Sequence, residues 1–124
     1  KARTIEACKE FPNITYLQGT TCDMVHKEKP DALNAYPLFL QMLGSRKIDI
    51  LFIDSWHGGQ YAKADWDAYS PYFATPALCI CDDIYGGDCA TIFGMMDFWK
   101  ELPGEKHLST NLHGGYPMGF TKVG

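Results

Sequence analysis

Three aspartates follow two apolar segments of the chain, each at the point where the segment ends. Asp54 comes directly after residues 48–53 (IDILFI), and Asp82 and Asp83 come directly after residues 77–81 (ALCIC). Neighbouring parallel strands end at the same edge of a sheet, where ligands bind in α/β proteins. Ionised carboxylates placed together repel each other unless a cation or a proton lies between them. We therefore predict that Asp54, Asp82 and Asp83 bind a divalent metal. Oxygen ligands suit magnesium, calcium or manganese, and magnesium is the first expectation.

A histidine follows the first of these aspartates in the segment DSWH. His57 stands three positions after Asp54. Imidazole titrates near neutral pH, so His57 is a candidate general base for a hydroxyl proton, or a further metal ligand. We predict that Asp54 and His57 are catalytic, with Asp54 and the metal orienting an acceptor oxygen. A structural alternative stays open, in which Asp54 caps the next helix and Asp82 and Asp83 form a solvated turn.

An alternation of helical and strand patterns must position these side chains. Buried strands separated by helices predict an α/β fold with a doubly wound, mainly parallel sheet. The predicted helices cover residues 1–11, 31–43 (capped by Asp31), 60–73 and 91–102. The predicted strands cover residues 14–17, 48–53, 77–81, 107–112 and 118–123, the last two as an antiparallel hairpin. Residues 48–53 are expected to be central and buried on both faces. Cys79 and Cys81 are expected to point together into a packed face as reduced thiols.

Composition narrows the classes of function. The chain has 124 residues, of which 46% are hydrophobic, so it is long and apolar enough for one folded domain. Its net charge is -4 and no long basic run is present, which argues against nucleic acid as a partner. Apolar stretches of membrane-spanning length are absent, and the five cysteines lack zinc-site spacing. We expect a cytoplasmic protein with no membrane partner.

The order of these motifs resembles the C-terminal half of the class I S-adenosylmethionine-dependent methyltransferases. The resemblance is carried by residues 48–57 (IDILFIDSWH), by residues 76–84 (PALCICDDI) and by the Phe98–Trp99 pair. The layout is most similar to small metal-dependent O-methyltransferases, a branch shared by cephalosporin-hydroxylase-like and macrocin-type sugar O-methyltransferases. The resemblance spans essentially all 124 residues, although each motif is short. It implies a Rossmann-like fold and methyl transfer from S-adenosylmethionine to a hydroxyl of a sugar or small metabolite.

The same resemblance assigns roles to individual residues. Asp54, Asp82 and Asp83 match the metal-binding carboxylates of the metal-dependent members, and His57 matches the histidine of their IDxxH signature. The donor-binding positions near the adenine match a Gly-Asp-Ser segment of the family. In this sequence they are Gly19, Thr20 and Thr21, with Thr20 in place of the aspartate.

The N-terminal part of the family's pattern has no counterpart in this sequence. Lys1 falls in the helix that follows the family's second strand, and no glycine precedes Gly19. The resemblance therefore implies a single, partial methyltransferase domain over residues 1–124 that lacks the first two strands and the glycine-rich donor loop. Donor binding would then need upstream residues or another chain.

Two further expectations follow from this departure. A sheet without its first two strands exposes two edges and an apolar face, so we expect a homo-oligomer, a missing N-terminal segment or a rearranged strand order. The expected partner in catalysis is a small-molecule acceptor. The alternative is a non-catalytic binding or assembly domain that has the methyltransferase fold without its donor site. A metal-dependent hydrolase or hydroxylase ranks last, since no nucleophile motif is present.

Overall fold

The structure, a computed structural model, describes residues 2–54, 58–109 and 115–124. These residues form two compact units, Lys1–Gly44 and Ser45–Gly124. The expectation of one domain over the whole chain stays a prediction. None of the described helices combines the length and the apolar character needed to cross a lipid bilayer.

Short helices make up the regular structure of the first unit. They are α1 (Ala2–Lys9), α2 (Asp23–Glu28) and α3 (Tyr36–Leu43). The sequence predicted α1 and α3 but not α2. The helix predicted from Asp31 begins later than expected, with Ala35 as its N-cap and Pro37 in its first turn. Proline fits that turn because its fixed φ is helical and its missing N–H would have no partner there.

The strand predicted over residues 14–17 is wrong. No strand forms there in the described part of the first unit, and Ile14 and Tyr16 are 48% and 39% exposed. The only strand-like pairing nearby is an isolated parallel bridge between Thr20 and Asn34. The apolar and β-branched residues of this segment have strand propensity, but a strand also needs a neighbour to pair its backbone.

The second unit is an α/β unit built on a four-stranded mixed sheet. Its strands are β1 (Ile48–Ile53), β2 (Phe73–Cys81), β3 (Glu105–Leu108) and β4 (Gly119–Val123), and its helices are α4 (Gly59–Tyr69), α5 (Gly87–Thr91) and α6 (Met95–Glu101). The strand order is β1-β2-β4-β3. β1 and β2 are parallel, whereas β4 is antiparallel to both of its neighbours. The α/β class and the C-terminal antiparallel pair are confirmed, but the sheet is mixed rather than mainly parallel.

The core lies between one face of this sheet and the helices α4 and α6. The register pairs Leu51 with Cys79 and Ile53 with Cys81. Their side chains therefore point to the same face, which alternation along a strand requires. That face packs against Leu102, which follows α6, and against apolar side chains of the helices, including Ala62, Met95, Phe98 and Trp99.

The expected burial of β1 on both faces is wrong. Ile50 and Phe52, which alternate with the core residues, are 61% and 53% exposed. β1 is also an edge strand rather than a central one. An apolar run signals that a strand is buried, but it does not reveal on how many sides. In the described part of the second unit, the helices that contribute to the core pack on one face of the sheet.

Two predicted helices differ in extent from the observed ones. The helix predicted over residues 91–102 begins later, as α6 at Met95, because Gly94 has a left-handed φ of 81° and serves as its N-cap. The short helix α5, which ends at Thr91, was not predicted. The helix predicted over residues 60–73 ends earlier, since a 3₁₀ turn at Ser70–Tyr72 leads directly into β2. Within the predicted hairpin, residues 110–114 lie outside the described part of the chain.

Cys79 and Cys81 are free thiols at the centre of the core, as predicted. Both are fully buried, and their Sγ atoms are 3.9 Å apart. The hydrogen bond with the Cys81 thiol and, as the smaller cause, burial both raise the pKa of Cys79 far above its ordinary value. Cys79 therefore stays protonated throughout the neutral and mildly alkaline range. Because the thiolate is the nucleophile, this cysteine should be chemically inert in the folded protein.

We expect iodoacetamide at about pH 8 to alkylate the partly exposed Cys8 and Cys89 of the native protein first. Cys79 and Cys81 should react only after unfolding in guanidinium chloride. Peptide mapping by mass spectrometry measures each rate. Native labelling of Cys79 as fast as that of Cys8 would contradict the described packing.

Candidate functional site

The parallel pairing of β1 and β2 brings the three aspartates together. Asp54 follows β1, and Asp82 and Asp83 follow β2, whose last residues Ile53 and Cys81 are partners in register. One carboxylate oxygen from each aspartate lies within 4.8 Å of the other two. We call these three residues the acidic rim. It stands at the carboxyl ends of the two parallel strands, where the sequence analysis expected it.

Backbone hydrogen bonds fix the turn that carries two of the rim residues. The Asp82 N–H donates to the Ile53 carbonyl at 3.2 Å, which extends the β1–β2 ladder past the end of β2. The Asp83 N–H donates to Asp82 Oδ1 at 2.9 Å. Asp83 itself has a left-handed φ of 58°. Aspartate tolerates this conformation better than most residues, but it remains strained relative to glycine.

The rim is open enough to accept a ligand. Asp54 is exposed, while Asp82 and Asp83 are half-buried. Two ionised carboxylates at 4.8 Å repel by about 1 kcal/mol even in water. A divalent cation would replace this repulsion with attraction. The arrangement can therefore hold a hard cation through oxygen ligands.

The segment after the rim is pinned by side chains that the sequence analysis did not single out. Ile84 is completely buried in the core. Gly86, with a φ of 74°, lies directly against the ring of Tyr116, and a Cβ at this position would collide with that ring. Tyr116 is 71% exposed, so the ring covers the loop while facing solvent. The sequence signal for this turn is the Gly86–Gly87 pair, which does not reveal the aromatic cover.

His57, the predicted base, lies outside the described residues, together with Ser55 and Trp56. Its role as a general base or metal ligand stays a prediction. The geometry of the candidate site therefore rests on the acidic rim.

The predicted donor-binding residues belong to the first unit. Thr20 is 5% exposed, and its N–H donates to the Leu33 carbonyl at 2.7 Å while its own carbonyl accepts from the Ala35 N–H at 3.0 Å. The Thr20 hydroxyl also donates to the Leu33 carbonyl, at 3.4 Å. Gly19 has a φ of 151° and lies so close to the Leu33 carbonyl that a Cβ would collide with it. Thr21 is exposed. Gly19 and Thr20 thus have a structural task inside this unit.

Comparisons with known proteins identify no relative from which the role of this site could be inferred. No family model matches the chain, and no curated protein and no solved structure is significantly similar to it. The methyltransferase resemblance rests on short motifs alone.

Substitutions of Asp83 should distinguish the effect of its backbone conformation on stability from the effect of its charge. Asp83→Asn and Asp83→Ala both remove the carboxylate, but alanine tolerates the left-handed φ of 58° less well. We expect Asp83→Ala to have a free energy of unfolding about 1 kcal/mol below that of Asp83→Asn, and Asp83→Gly to be at least as stable as Asp83→Asn. Urea denaturation without divalent cations measures all three. Equal midpoints for the alanine and asparagine variants would contradict the left-handed turn.

Proposed function

We propose that the acidic rim binds a divalent cation, and that the chain acts through this site in S-adenosylmethionine-dependent O-methyl transfer to a hydroxyl of a small molecule. The observation that carries the proposal is the convergence of Asp54, Asp82 and Asp83 at the carboxyl ends of β1 and β2. The order of the IDxxH and DD motifs along the chain supports the methyltransferase part.

The spacing of the rim oxygens suits a hard cation. Opposite ligands around Mg²⁺ are about 4.0–4.2 Å apart, and around Ca²⁺ they are about 4.6–5.2 Å apart. The rim oxygens are no more than 4.8 Å from one another. Ligands that share one ion lie at or inside these separations, so the rim oxygens can come together around either cation. The remaining positions around either ion are available to water and to an acceptor hydroxyl.

Each part of the site has a distinct task in this proposal. The rim carboxylates would hold the cation, which would supply polarisation of the acceptor hydroxyl. Asp54, as the exposed member of the rim, also orients that hydroxyl. His57, three positions further along the chain, takes the acceptor proton. The acceptor oxygen forms a bond to the methyl carbon as the carbon–sulfur bond of the donor breaks, leaving S-adenosylhomocysteine.

One observation favours the alternative of a non-catalytic domain with a methyltransferase-like fold. The backbone N–H, carbonyl and hydroxyl of Thr20 are all engaged within the first unit, so Thr20 has little to offer to a methyl donor. A binding or assembly domain would retain the cation site and would have no affinity for the donor.

Titration with Mg²⁺, Ca²⁺ and Mn²⁺ tests the metal site. We expect saturable binding by calorimetry, and a gain of about 2.7 kcal/mol in stability at a cation concentration of 100 times Kd. Asp82→Asn should weaken binding at least about tenfold, because it removes one ligand charge.

Asp49→Asn is the matched control for this experiment. Asp49 is an exposed aspartate near the opposite end of β1, so its replacement changes the net charge equally without touching the rim. The metal site is refuted if Asp82→Asn and Asp49→Asn bind the cation with the same affinity as the unaltered chain.

Titration with S-adenosylmethionine and S-adenosylhomocysteine then separates the two functions. With saturating cation, an O-methyltransferase should bind both ligands with measurable heat. A folded, cation-bound chain that gives no heat at millimolar ligand would exclude donor binding by this chain and favour the non-catalytic domain. Because the cation titration is independent, the two parts of the proposal can fail separately.

A further inference from the structure

A groove runs between α4 and α6 on the helical side of the second unit, and none of its lining residues belongs to the acidic rim. It consists of two depressions with volumes of about 150 Å³ and about 230 Å³. Both are lined by Lys63, Phe98 and Glu101, so they adjoin. We call them together the α4–α6 groove. Each depression has room for about one large apolar side chain.

The floor of the groove is apolar and held in place by the fold. Trp66, Phe98 and Leu102 line the smaller depression, and Phe93 lines the larger one. Phe98 and Leu102 are almost fully buried, whereas Phe93 is 57% exposed. The Gly59 N–H donates to the Phe93 carbonyl at 2.7 Å, which ties the start of α4 to the segment before α6. A preformed groove of this kind loses little entropy when it binds a partner.

The border of the groove is acidic. Lys63 is the one cation among its lining residues and donates to both carboxylate oxygens of Asp67, at 3.0 and 2.7 Å. Asp97 and Glu101 complete the charged border. Within the described residues, neither Asp97 nor Glu101 takes part in an ion pair or a side-chain hydrogen bond. One ammonium therefore faces three carboxylates, and two of the carboxylates remain without a partner.

Asp97, in the first turn of helix α6, is favoured by the helix dipole, whereas Glu101 is not. They are four residues apart on one helix, where like charges repel across one turn. Glu101 is also the last residue of α6, next to the negative end of the helix dipole.

We propose that the α4–α6 groove binds a basic amphipathic helix of a partner protein. Two apolar side chains one helical turn apart would fill the two depressions, which is the common mode of helix-in-groove recognition. Lysine or arginine side chains beside them would pair with Asp97 and Glu101. Charge complementarity decides the kind of partner, since an acidic or neutral helix would leave both carboxylates unpaired.

The test uses a labelled synthetic peptide of about 16 residues, long enough for about four helical turns. It carries two leucines one turn apart, lysines on either side of them, and alanine elsewhere. A second peptide has glutamate in place of every lysine. We expect the basic peptide to bind with micromolar affinity by fluorescence anisotropy, more weakly at high salt, and the acidic peptide not to bind. Equal binding of the two peptides would overturn the proposal.

A double variant, Asp97→Asn with Glu101→Gln, tests the border of the groove. We expect it to weaken binding of the basic peptide about three- to tenfold, as loss of two exposed ion pairs should. The matched control is Glu10→Gln with Asp31→Asn, which changes the net charge equally on exposed positions of the first unit. If the control weakens binding as much, the peptide responds only to overall charge and the proposal fails.

Fluorescence locates the peptide. Trp66 lines the smaller depression, so its emission should shift to shorter wavelength on binding, and Trp66→Phe should abolish that shift. Phe93→Ala, at an exposed position, should weaken binding without unfolding the protein. The double variant Asp54→Asn with Asp82→Asn should leave peptide binding unchanged. Loss of binding in that variant would show that the peptide binds at the acidic rim and would overturn the proposal.

Evidence that a different ligand occupies the α4–α6 groove would also overturn the proposal, and two such ligands can be tested. Displacement of the peptide by micromolar spermidine would assign the groove to a small polyamine. A concentration-dependent dimer of the chain alone, dissociated by the Asp97→Asn and Glu101→Gln double variant, would assign it to a second copy.

Discussion

The parallel pairing of β1 with β2 is the constraint on which the candidate site depends. This pairing aligns Ile53 with Cys81 and thereby places Asp54 beside Asp82 and Asp83. Both paired residues are buried in the core, so apolar packing holds the register. A slip of one residue would turn Ile53 out of the core, which makes the register costly to change. The core therefore holds three carboxylates together at its edge.

The two charged surfaces of the second unit differ in how the fold supports them. The acidic rim stands on strand ends and on a turn that includes the left-handed Asp83. The α4–α6 groove stands on two packed helices and has an apolar floor. Oxygen ligands around an open position suit a small hard ion, whereas an apolar floor with an acidic border suits a larger amphipathic ligand. Both surfaces concentrate negative charge on a chain whose net charge is -4.

Residue patterns within a short segment predicted the helices and strands that such patterns determine. They failed where the structure depends on pairing between strands that are far apart in the sequence. The run IDILFI predicted β1 to the residue, and the placement of aspartates after two strands predicted the acidic rim. The edge position of β1 could not be inferred, because it depends on β4, which pairs from far along the chain. The segment around Ile14 has strand propensity but no partner. The α4–α6 groove was missed because Asp97 and Glu101 have the ordinary pattern of an exposed helix face.

The position of β4 inside the sheet shapes the order in which the second unit can assemble. β4 is the latest of the four strands in the sequence, yet it lies between β2 and β3. As the chain emerges from the ribosome, β3 has no place in the sheet until Gly119–Val123 follow it. The sheet must therefore close after synthesis of this region rather than strand by strand, and until then β2 presents an unpaired edge to chaperones and to other nascent chains.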